Sequence, residues 1–428
     1  MARGAGRVRL IALLARSGPA AVAALAALLV LVVLAAPAAH AQEPGSQPPP
    51  AASAAAATPD AAATASAARA ANGEASSPPV PPARLRPPST WRPQILDLVP
   101  RWVAVPRTSG RLGAADIGLV INTADPYSVA VGAYYAERRG LRADQVLRVE
   151  LPLRAQLESA EFETLQQRID EAFGDRVQAL ALAWVQPYAV ACNSITGALA
   201  LGLDLALCRS SCDASRLSPY ANSASSRPYT DLGLRLSMLL AAPDVDAAKR
   251  LIDRGLRADR SLVLGAAPVA NVFLLLTDDP PRNVRALRYP PPGRIRLATV
   301  AIRVQEAKPV RPLEDVLLLQ TGSARVPQLA EVQWLDGGLG DHLTSFGGRL
   351  TGDAGQTTAL DWIASGATAS YGTVSEPCNH LQKFPHPQWL LLHYLQGVTA
   401  IEAYWKSVQW PQQGLFVGEP LAAPFARR

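Results

Sequence analysis

The densest set of chemically capable side chains lies between Thr373 and His386, where Ser375, Glu376, Cys378, Asn379, His380, Lys383 and His386 share one short stretch. A cysteine near histidines has the makings of a thiolate nucleophile and its base. Cys378 would attack, and His380, His386 or the more distant His342 would take the proton. The same residues have a plainer reading, with Cys378 as half of a disulfide and the histidines capping or packing the loop. A second constellation, Asp341-His342-Leu343-Thr344-Ser345, holds the components of a Ser/His/Asp triad. A triad is a matter of geometry, however, and seldom sits in so short a segment. The candidate catalytic residues are therefore His342, Ser345, Glu376, Cys378 and His380, for a cysteine- or serine-dependent hydrolase. Ser345 to Gly348 could instead present backbone N–H groups to an anion. Asp125, Asp278 and Asp279 could bind a cation or cap helices. Nucleotide phosphate loops, His-Glu-x-x-His and Gly-x-Ser-x-Gly are absent from the sequence, so no cofactor and no metal is expected.

Cys192, Cys208, Cys212 and Cys378 are the four cysteines. Their even number favours disulfides in an oxidising compartment, with all three pairings open. The competing arrangement is zinc on Cys208, Cys212, Cys378 and a histidine such as His380. The compartment follows from the start of the chain. Arg3, Arg7 and Arg9 precede an apolar run from Ala20 to Ala36, which ends at Ala39-His40-Ala41, the pattern of a cleaved secretory signal over residues 1–41. The alternative is an uncleaved anchor. Residues 42–89 are Ala, Pro and Ser with few large apolar side chains, a composition that cannot offset the entropy of ordering and predicts a disordered spacer. No later segment is apolar for long enough to span a membrane. The expected location is the periplasm or cell exterior.

Residues 90–428 form the expected folded domain. A net charge of +6 could suggest nucleic acid, but the basic residues are scattered and only four are lysines. No nucleic-acid motif accompanies them, so nucleic acid is excluded as a partner. The candidate loops need strands and helices to hold them, and the pattern supplies these. Strands are predicted at 118–122, 145–151, 177–185, 234–240, 272–277, 295–304, 316–320 and 367–371. Helices are predicted at 128–139, 159–173, about 244–255, 357–364, 388–395 and 399–408. Strand-helix alternation implies a three-layer α/β fold, a mostly parallel sheet flanked by helices. A loop-rich excursion at 186–231 carries three cysteines, and 336–348 reads as a Gly-rich connection. In such folds, sites gather at the carboxyl ends of strands. That places Thr123 to Ser128, Asp278 to Arg282, His342 to Gly348 and Thr373 to His386 as the loops of interest.

Two resemblances sharpen this reading. The segments Val120 to Ala130, Asp341 to Gly348, Gly355 to Trp362 and Gly366 to Cys378 resemble an uncharacterised exported bacterial family that occurs in species carrying exosortase protein-sorting systems. The likeness covers nearly everything after the spacer. The element order also resembles the gingipain-like, caspase-fold cysteine peptidases. Those enzymes carry Gly-His-Gly after one strand and a Cys after the next. The corresponding places here look like Gln320-Thr321-Gly322-Ser323 and His342-Leu343-Thr344-Ser345, with neither the His nor the Cys. The resemblance thus implies a peptidase-like fold without the usual dyad. The function expected from it is an exported envelope protein that binds a peptide, protein or glycan partner, accessory to exosortase-dependent export; the alternative is a hydrolase.

Overall fold

The computed structural model describes residues 100–427 apart from 264–267, 296–298, 308–311 and 328. The expected signal (1–41) and spacer (42–89) lie outside the described residues.

Strand β1 (Ile117–Asn122) is buried at all six positions. Successive strand side chains point to opposite faces, so uninterrupted burial means that both faces are covered. It leads into α1 (Pro126–Arg139), whose start is fixed by Pro126 and by the Asp125 carboxylate accepting the Tyr127 N–H at 3.0 Å. Gly140, at φ 63°, closes the helix in the left-handed conformation. There follow β2 (Val146–Val149), β3 (Gln156–Leu157) and α2 (Ser159–Phe173), which buries Phe162, Leu165, Ile169 and Phe173 on one stripe. After β4 (Ala179–Leu182) comes the excursion, with β5 (Ala189–Val190), β6 (Asn193–Ser194), α3 (Ile195–Leu201) and α4 (Pro228–Leu232). Here β3, β5 and β6 make a small sheet of their own. The cysteines pair as Cys192–Cys208, a staple within the excursion, and Cys212–Cys378, a tie to the far side of the chain.

The second half comprises β7 (Leu236–Leu239), α5 (Val245–Ala258), β8 (Ala270–Leu276), β9 (Gly293–Ile295), β10 (Val300–Glu306), β11 (Val316–Thr321), β12 (Trp334–His342), α6 (Ala359–Ser365), β13 (Ala369–Thr373), α7 (Pro387–Leu395), α8 (Ala400–Ser407) and β14 (Gly414–Gly418). The main sheet has eleven strands in the order β2-β1-β4-β7-β14-β13-β12-β11-β8-β10-β9. Five strands, β2 to β14, run parallel to one another, and so do the five from β13 to β10. The two sets meet antiparallel at β13 and β14. This is the expected α/β architecture, a mostly parallel sheet flanked by helices. The antiparallel seam also means that the carboxyl ends of the two sets open on opposite edges. Of the four candidate loops, Thr123 to Ser128 is on one edge and the other three are on the other.

Two strands of the main sheet were not legible in the sequence pattern, nor were the three short ones of the small sheet. The Gly-rich stretch is the nine-residue strand β12, and its glycines are there for two tryptophans. A Cβ at Gly338 would come within 2.7 Å of the Trp334 ring, and one at Gly340 within 2.4 Å of the Trp362 ring. Strand β14 had no expectation at all, although it sits at the centre of the sheet. The strand expected at 295–304 divides into β9, an antiparallel edge, and β10. The leading residues 100–112 lie against α7 and α8. Gln388 accepts the Val103 N–H (2.8 Å) and donates to the Arg101 carbonyl (3.0 Å), and Gln396 does the same with Thr108 and Pro106 (2.8 and 3.1 Å). Each amide thus satisfies both backbone groups it covers.

Candidate functional site

The carboxyl ends of β8, β11, β12 and β13 bring Thr277, Thr321, His342 and Thr373 to one edge. Residues Gln320 and Asp341, and Thr321 and His342, are register partners on adjacent parallel strands. The two loops expected to stand where the peptidase dyad would be are therefore neighbours.

What occupies this junction is a buried ion pair. Arg285, from the 3-10 turn Asn283–Arg288 that follows β8, bonds the Asp341 carboxylate. It also donates to the backbone carbonyls of Thr321 (2.9 Å) and Asp341 (3.2 Å). Its side chain is 1% exposed and that of Asp341 is fully buried. The other carboxylate oxygen accepts from the Gln320 amide at 2.9 Å and from the Tyr404 hydroxyl at 3.4 Å. A charge pair this deep depends on further hydrogen bonds to its remaining polar atoms, and these are matched here except for the buried Arg285 Nε. The chain packs as tightly just beyond: a Cβ on Gly322 would fall 2.0 Å from the Arg282 carbonyl oxygen. No side chain fits at Gly322 unless the Arg282–Asn283 turn moves.

His342 is buried beside this pair. Its Nδ1 accepts the Trp362 indole N–H at 3.0 Å. An acceptor at Nδ1 is unprotonated there, so the neutral ring carries its proton on Nε2. Burial is the main force pushing its pKa down to about 3, with Arg285 and Arg282 adding repulsion and the Thr357 backbone pulling weakly the other way. His342 is thus held as a neutral donor at Nε2, the wrong tautomer for a base acting through that atom. Ser345, buried in the loop after β12, makes no side-chain hydrogen bond to a histidine among the described residues; its carbonyl accepts from the Thr373 hydroxyl at 2.9 Å.

The other three candidates lie farther along the chain. Cys378 is bonded to Cys212, leaving no thiolate in this state, and with the other cysteines also paired none is left for the zinc arrangement. Glu376 accepts the Cys378 N–H at 2.8 Å, a local turn contact. His380 is exposed and lies against Trp410, with ring centroids 6.0 Å apart. His386 stacks on Trp389 at 4.6 Å and caps α7 through Nδ1. Buried Lys383 donates to the Ser211 carbonyl at 2.6 Å, and burial lowers its pKa to about 8. The structure brings His342 and Ser345 to the strand-end edge and puts Glu376, Cys378 and His380 in the disulfide-tied loop.

Arg285, Gln320, Trp362 and Tyr404 were not singled out as site residues. Gln320 and Trp362 fall inside segments quoted for the two resemblances. Nothing near Arg285 in the sequence marks it, because its partners are 36 and 56 positions away.

No protein-family model matches this chain, and no curated protein does. A solved structure does. The chain is similar to the complex of Porphyromonas gingivalis RgpB pro- and mature domains, at 10% identity and a TM-score of 0.38, over 73% of this chain and 80% of that one.

Proposed function

We propose that this is an exported envelope protein that binds a peptide or protein partner on a peptidase-like scaffold without cleaving it, as an accessory to exosortase-dependent export. The observation that carries the reading is the Arg285–Asp341 pair, which fills the strand-end junction where a nucleophile and base would otherwise face substrate. Export is supported by two disulfides, which persist in oxidising compartments, and by the signal pattern at 1–41. Among the described residues no helix is long and apolar enough to cross a membrane. The link to exosortase systems rests on the four sequence segments named above.

The test is incubation of the exported, oxidised protein with a fluorogenic peptide library and a fluorophosphonate probe. The expected result is neither turnover nor labelling. Turnover abolished by Ser345→Ala or His342→Ala would establish a serine hydrolase instead. Turnover that appears only after reduction and is abolished by Cys378→Ser would establish a thiol enzyme.

A further inference from the structure

Beside the ion pair, on the face of β11 that carries Leu319 and Thr321, lies a cavity of about 250 Å³. Its walls are apolar, built by Leu275, Leu313, Leu319, Val326 and Leu329 among others. Small-molecule sites run to roughly 300–1,000 Å³, so this one is sized for a single large side chain and not for a whole metabolite. Thr277, Ser323 and the exposed Asp278 also line it, and the hydroxyls of Thr277 and Ser323 already donate to the carbonyls of Gly322 and Arg325, which leaves the hydroxyl of Thr321. Thr321 is 2% exposed, and its hydroxyl has no hydrogen-bond partner. A buried hydroxyl left unpaired is destabilising, and a ligand that pairs it recovers that loss. The mouth carries Glu306 and Glu331, which have no ion-pair partner among the described residues, and Arg325 as the counter-charge. The rim is acidic on a chain whose net charge is positive.

We propose that this cavity docks a tyrosine side chain of a partner polypeptide, with a lysine or arginine next to it. The ring fills the apolar volume, the phenol pairs with the Thr321 hydroxyl, and the neighbouring cation meets Glu306 and Glu331. Phenylalanine would fill the space but leave Thr321 unpaired. The proposal rests on the binding reading above and gives it a ligand chemistry.

The experiment titrates the full-length oxidised protein with capped Gly-Tyr-Lys-Gly, Gly-Phe-Lys-Gly and Gly-Tyr-Glu-Gly peptides by calorimetry, with mass spectrometry of the peptides afterwards. The Tyr-Lys peptide should bind roughly tenfold tighter than the Phe-Lys peptide, the worth of about one good hydrogen bond, and tighter than the Tyr-Glu peptide. Thr321→Val should erase the Tyr-over-Phe preference while leaving Phe-Lys binding unchanged. Val326→Trp, at a half-buried wall position, should block all three if Thr321→Val proves unstable. Equal binding of Tyr and Phe peptides, a preference that survives Thr321→Val, or no binding at all would overturn the proposal. Absence of binding leaves the non-catalytic reading standing on its own assay, whereas tight binding followed by cleavage would keep the cavity and overturn that reading.

Discussion

Arg285→Met tests whether the buried pair is a structural plug. The substitution keeps most of the side-chain volume and removes the guanidinium, which takes one ion-pair partner from Asp341 and donors from the carbonyls of Thr321 and Asp341. The carboxylate keeps only the Gln320 amide and the Tyr404 hydroxyl. Breaking one side of a buried pair costs about 3–5 kcal/mol, because a charge is left in a medium that cannot solvate it. The double variant Arg285→Met/Asp341→Asn removes that charge while an amide retains the volume and can still accept from Gln320. It should recover about half the loss, whereas independent sites would give additive losses. The assay is equilibrium unfolding in guanidinium with disulfides intact, followed by tryptophan fluorescence. A loss below about 1 kcal/mol for the single variant, or a double variant no more stable than the single, would refute the argument that Asp341 depends on Arg285.

Three further outcomes are expected. Burial pushes His342, His386 and His393 down to about 3, so below pH about 6.5 the unfolded chain takes up protons that the folded chain refuses, and stability falls with acid until about pH 3. Between pH 7.5 and 5.5 the loss is about 1.4 kcal/mol per histidine, about 4 kcal/mol together. Glu402, raised by burial, works in the opposite direction. A urea midpoint at pH 5.5 equal to or above that at pH 7.5 would contradict this, and His393→Gln should flatten the dependence by about a third. The Cys212–Cys378 bond spans 166 residues and Cys192–Cys208 spans 16. Loop-closure entropy therefore makes serine replacement of the first pair dearer, about 5 against about 3 kcal/mol; the reverse order by thermal unfolding would mean that native-state contacts decide. Gly322→Ala sets a methyl against the Arg282 carbonyl and should sharply reduce the yield of folded protein, while Gly113→Ala, at an extended φ of −130° with its nearest neighbour 3.8 Å away, should be tolerated far better.

Elements whose signal is local were readable. Helix α2 follows the predicted 159–173 because an apolar stripe at helical spacing is self-contained, and α1 because Asp125, Pro126 and Gly140 punctuate it. Strand β12 was hidden because glycines, which read as loop, are required there by rings contributed from Trp334 and Trp362. The strand-end position of His342 and Ser345 was legible from the order of strands. The condition of His342 was not, since its tautomer is set by Trp362, twenty positions away. Cys378 as a bonded half was one of two readings left open, and its partner Cys212 could not be picked from three possible pairings. Thr321 stood inside a quoted segment, but its lack of a partner is a property of packing alone.

The central seam has a temporal meaning. Strand β14 (Gly414–Gly418) lies between β7 and β13 and is the link through which the two oppositely running sets of strands hydrogen-bond. A chain that emerges amino end first can assemble β1, β2, β4 and β7, and then the later set, yet among the described residues the strands of the two half-sheets are joined in one ladder only through β14. Contacts of such sequence separation form late and slowly. Among the described residues the sheet is closed from its middle by the last strand in chain order, so a chain shortened before residue 414 would leave two half-sheets whose inner edges, on β7 and β13, have unpaired backbone groups.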